Sequence, residues 1–85
     1  MTDAEKWAAY DTAKFALAVM IGHYSELVYN ESKQESPDQA KIEKWENIQE
    51  SFVDQEAALS VNDTAEIDRI NSTYQTAVKA IMQKG

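Results

Sequence analysis

Phe15-Ala16-Leu17-Ala18-Val19-Met20-Ile21-Gly22 is the stretch whose reading decides the fold. These eight apolar or small residues are the centre of a helical segment. Tyr10, Ala13, Leu17, Met20, Tyr24 and Leu27 recur at alternating three and four spacing, with Ile21 and Val28 widening the stripe. A helix over 3–30 is therefore predicted, with that stripe as its core seam. A second series, Ala8, Asp11, Phe15, Ala18, Gly22, Ser25 and Tyr29, runs parallel to the first about a third of a turn or more round the helix. Apolar residues on two sides mean two faces to cover.

The rest of the chain reads as two further helices. Ser36-Pro37-Asp38-Gln39 carries a capping hydroxyl, a proline at the first helical position and a Gln at the capping-box site, so the second helix is expected over 37–59. Ile42, Trp45, Ile48, Phe52, Val53 and Leu59 gather on one side of it, and Glu43, Glu46, Glu50 and Asp54 form an acidic ridge on its flank. Asp63 with Glu66 three residues later matches a second capping box and opens a helix over 64–83, whose seam is Ile67, Ile70, Tyr74, Ala77 and Ile81 with Val78 beside it. At the first helix, Thr2 or Asp3 is the expected cap.

Composition agrees. Two Gly, one Pro and no Cys in 85 residues leave little room for strands and turns, and none for disulfides or thiolate metal sites. The expected architecture is all-α: one domain over 1–85, an antiparallel up-down-up three-helix bundle with a long first helix, open to dimerising into a larger bundle. The first helix, about 40 Å long, should overhang partners of about 35 and 30 Å.

Charge and missing motifs bound the function. Fifteen acids against eight bases give a net charge of −7, which repels phosphate backbones and anionic lipid, so direct nucleic-acid and membrane binding are not expected. The apolar run falls far short of the ~20 residues that span a bilayer, and the acidic Asp3 and Glu5 stand where a secretory signal carries base, so a cytoplasmic location is expected. His23 is the only histidine; one carboxylate, Glu26, lies a turn away, which is short of any metal or acid–base constellation. There is no Gly-rich phosphate loop, no G-x-S-x-G and no E-x-x-H pair, so no catalytic, cofactor or metal residues are assigned and an enzyme is not expected.

Two surface features remain. Ala18-x-x-x-Gly22 with Ala8 in line would let another helix backbone approach closely around Phe15, and Trp7 and Tyr29 stand at the two ends of the same helix, off its densest seam. Trp7, Ala8, Phe15, Ala18, Gly22 and Tyr29 are the candidate partner or dimer interface, unless the second or third helix closes over them within the bundle. Glu43, Glu46, Glu50 and Asp54 are a candidate docking ridge for a basic protein, or simply a solvated helix face. The functional expectation is a small acidic interaction module that binds and modulates or neutralises another protein. By analogy of size and charge alone, antitoxins, immunity proteins and inhibitors are of this kind. The alternative is a self-associating structural bundle.

Overall fold

The computed structural model describes residues 2–84 and contains three α-helices: α1, Asp3–Ser32; α2, Gln39–Ala58; and α3, Thr64–Lys84. The order is up-down-up. Two side chain to backbone bonds set α1 against α2 in antiparallel register: Lys14 Nζ donates to the Glu56 carbonyl (2.8 Å) and Gln49 Nε2 to the Ile21 carbonyl (3.2 Å). Lys6 donating to Asn62 Oδ1, and Asn71 Nδ2 to the Ala9 carbonyl (3.2 Å), run α3 parallel to α1.

The core follows the seams. Ala13, Leu17 and Met20 of α1, Phe52 of α2, Leu59 after it, and Ile67, Ile70 and Val78 of α3 are all buried, with Leu17 and Ile70 the largest side chains fully closed from solvent. Tyr10, Tyr24, Ile21, Ile48, Tyr74, Ala77 and Ile81 pack half-buried around them. Ala16, absent from the expected seam, is also buried. Its burial shows where α3 sits. Ala9, Ala13, Ala16 and Met20 form the second line of contact on α1, so the small residues that let a neighbouring helix in close are these alanines and not Ala18 and Gly22.

The bundle is opened out. Its Cα atoms span 53 × 26 × 14 Å, and among the described residues no Cα of α2 comes within 8 Å of one of α3. Three helices packed in a triangle would have similar short dimensions, whereas two spacings of about 8–10 Å laid side by side, with backbone at each edge, approach the 26 Å width. α1 is thus the central helix, touching both others. The gap between α2 and α3 is closed by side chains alone: the Phe52 ring, stacked on Tyr24 of α1 (6.0 Å between centroids), meets Tyr74 of α3 edge-on (5.3 Å), and Arg69 Nη2 donates to Gln55 Oε1 (3.0 Å).

α1 and α3 start where expected, and the start of α2 is corrected. At α1, Thr2, one of the two expected caps, takes that place, and Glu5 completes a reciprocal capping box with it. At α2, the start is Gln39 and the cap is Asp38, whose carboxylate accepts from Lys41 N–H (3.2 Å); Ser36 and Pro37 stay in the loop. The reason is local. Asp38 N–H donates to Glu31 Oε2 (3.0 Å) at the end of α1, which anchors the chain so that α2 starts at Gln39 and not at Pro37. At α3, Asp63 turns its carboxylate back to the Ser60 N–H (2.9 Å) while Arg69 takes Glu66, so the second capping box does not form.

Leu17→Ala and Ile70→Ala are each expected to lower unfolding free energy by about 2–5 kcal/mol in chemical denaturation, because both leave a cavity in a closed core. Gly22→Ala should do the reverse. A Cβ at Gly22 meets nothing within 4 Å, so the variant gains helix propensity, about 0.5–1 kcal/mol, with no steric cost.

Candidate functional site

Apolar residues are spread almost evenly round α1, whereas those of α3 are concentrated on one side. α2 and α3 take up about half of the α1 circumference. The remaining half carries Trp7, Ala8, Asp11, Phe15, Ala18, Gly22, Ser25, Glu26 and Tyr29, every one of them exposed. Phe15 is 52% exposed, Trp7 53% and Tyr29 63%. Neither α2 nor α3 closes over the small-residue stripe, so closure within the bundle, the bland reading of that stripe, is overturned.

The three aromatic rings differ in what they already touch. Trp7 lies edge-on to Tyr10 (5.6 Å), and Lys33 Nζ sits over the Tyr29 ring (4.5 Å). Phe15 has no aromatic ring against it among the described residues. It stands at the middle of the open face, with Ala18 and Gly22 below it offering no side chain that would hold off an approaching backbone.

α2 extends this surface. In the register fixed by Lys14 and Gln49, Val53 lies alongside Leu17 and Ala18, and it is 45% exposed. Glu46, Glu50 and Val53 follow one another at four and three spacing on the same flank of α2, with Glu43 and Asp54 beyond them; all four acids are exposed. The acidic ridge and the apolar stripe, which the sequence presented as separate features, therefore adjoin. The missed member of the surface is Val53. Its spacing placed it on the α2 core side, and only the opened-out packing leaves it uncovered.

Bases are scarce on this surface. Lys6 and Lys14 are turned toward the loop after α2 and toward α2 itself. Arg69, on α3, holds Glu66 through Nε and Nη2, and this pairing with the guanidinium keeps the Glu66 carboxyl below the usual carboxylate range. The pair borders a cleft of about 180 Å³ lined by Gln55, Ala58, Leu59, Asp63 and Glu66, smaller than the ~300–1,000 Å³ typical of small-molecule pockets. His23 is half-buried, edge-on to Tyr24 (5.2 Å). Among the described residues no three His, Cys, Asp or Glu side chains converge on a possible metal position, and no helix is long and apolar enough to cross a membrane.

No protein-family model matches this chain, and neither curated proteins nor solved structures match it significantly.

Carbon-detected NMR titration of Glu66 should place its pKa below the ordinary value of a glutamate side chain, and Arg69→Gln should raise it back toward that value. A folded-state pKa depressed in this way stabilises the fold above the unfolded carboxyl pKa, and that contribution fades as pH falls through the folded value. Unchanged Glu66 titration in Arg69→Gln would remove the pair as its cause.

Proposed function

We propose that this chain is a small protein-interaction module that binds another protein through the open face of α1 and the acidic flank of α2, and modulates or neutralises it without chemistry of its own. The observation that carries the reading is the uncovered stripe centred on Phe15. Surface hydrophobics scattered singly need no explanation, but Trp7, Phe15, Tyr29 and Val53 lie on one side of the molecule and are joined by Ala8, Ala18 and Gly22. Aromatic side chains in such positions supply much of the binding energy at protein interfaces. An acidic border raises the association rate with a basic partner and discriminates against acidic ones.

The alternative is self-association through the same stripe, making a homodimeric larger bundle. It predicts a dimer held by apolar contact and insensitive to salt.

Light scattering across a concentration series at two salt levels separates the two: the interaction reading expects a folded monomer, the alternative a salt-insensitive dimer. A photo-crosslinking side chain at position 15 is expected to capture a discrete protein from the native host, and the same group at exposed Ser72 on α3 is not. Equal capture from both positions would show that the α1 face has no special role.

A further inference from the structure

Resting on that interaction reading, we propose that the occupant of the α1 face is a single cationic amphipathic helix, lying along Phe15–Gly22 with its apolar side on the stripe and its basic edge against Glu46 and Glu50.

Shape comes first. A helix docks on a helix where side chains leave a groove, and the open half of α1 has one: Ala18, Gly22 and Ser25 are small, with Phe15 at one end and Tyr29 at the other. An incoming helix would sit with its backbone close to Gly22, where a Cβ would have met nothing of this chain. It would become the third neighbour of α1, packed on the open side as α2 and α3 are on the other.

Charge then selects the occupant. The α2 flank beside the groove carries Glu46 and Glu50 at the level of Ile21 to Ser25 in the established register, and the stripe itself adds Asp11 and Glu26. Between Trp7 and Ser25 the stripe carries no Lys or Arg; the base against it is Lys33, over Tyr29 at its far end. A partner helix carrying bases along one edge pairs with both glutamates at once, while an acidic one is repelled. The α3 side of the groove is different, with Thr12, Val19, His23 and Gln75 in place of acids, so the charge on the partner belongs on one edge only.

A second copy of this chain fits less well. It brings another net charge of −7 and an α1 stripe that carries Asp11 and Glu26 against a single base, Lys33 at the Tyr29 end. Packed antiparallel about a two-fold axis, the two α1 helices would also bring both α2 ridges to the same side of the seam, acid facing acid.

The test uses two synthetic peptides of about 18 residues with the same Leu, Ala and Lys composition. In one, Leu recurs at three and four spacing and Lys fills one edge; in the other, the order is shuffled. Binding is followed by titration calorimetry and tryptophan fluorescence. The ordered peptide is expected to bind about tenfold tighter or better than the shuffled one, and Phe15→Glu or Gly22→Leu to remove that difference, with helical content and melting retained. Glu46→Gln with Glu50→Gln should flatten the fall in affinity with rising salt. A monomeric chain that binds both peptides equally, or neither, overturns the helical occupant and leaves the interaction reading standing. A salt-insensitive dimer that Phe15→Glu dissolves overturns both.

Discussion

The contact on which the rest of the structure depends is the burial of Leu17 between two helices that scarcely meet each other. α1 is the only element whose backbone lies close to both others, and its side chains Ala13, Ala16, Leu17 and Met20 form the floor on which Phe52, Ile67, Ile70 and Val78 are laid. A domain of this size has little stability to spare, with no disulfide to restrain the unfolded chain. Small alanines at 13 and 16 are part of the solution, because they bring α3 close enough for Ile67 and Ile70 to be sealed. The exposure of the opposite side of α1 follows directly: two neighbours spaced this way cannot also reach round behind it.

Much of this was legible in the chain. The seams of α1 and α3 were written in spacing, since burial on one side of a helix imposes a three-and-four period, and the three helices lie where that period runs. What periodicity could not give was the angle between α2 and α3 around α1. Ala16 and Ala18 are equally small and equally central in the sequence; one is buried and the other exposed because α3 sits on one side of the seam. That choice depends on where a parallel helix can be seated. Helix caps were misread for a related reason. Pro37 and Glu66 each fit a cap motif, but Glu31 and Arg69, distant or competing side chains, decided the hydrogen bonds.

The candidate surface was legible in its parts and not in its assembly. Trp7, Phe15, Gly22 and the acidic ridge could each be singled out, whereas their adjacency, and the role of Val53 in joining them, needed the α1–α2 register. A ridge of exposed acids alone is an ordinary solvated helix face. Beside an uncovered aromatic stripe it acquires a direction, because it charges one edge of a groove and leaves the other nearly neutral.

The parallel pairing of α1 with α3 has its own consequence for how the chain assembles. The α1–α2 hairpin closes over a short loop, but the bond from Asn71 to Ala9 joins residues 62 apart and carries the larger loop-closure entropy. That interface also leaves the buried Asn71 Oδ1 without a partner, a cost of about 1–3 kcal/mol for a desolvated acceptor. The longer closure and the unsatisfied amide oxygen make α3 the natural first unit to open. Native-state hydrogen exchange would read this as amides of α3 opening at lower free energy than those at the centre of α1, a molecule that loosens from one edge while its hairpin persists.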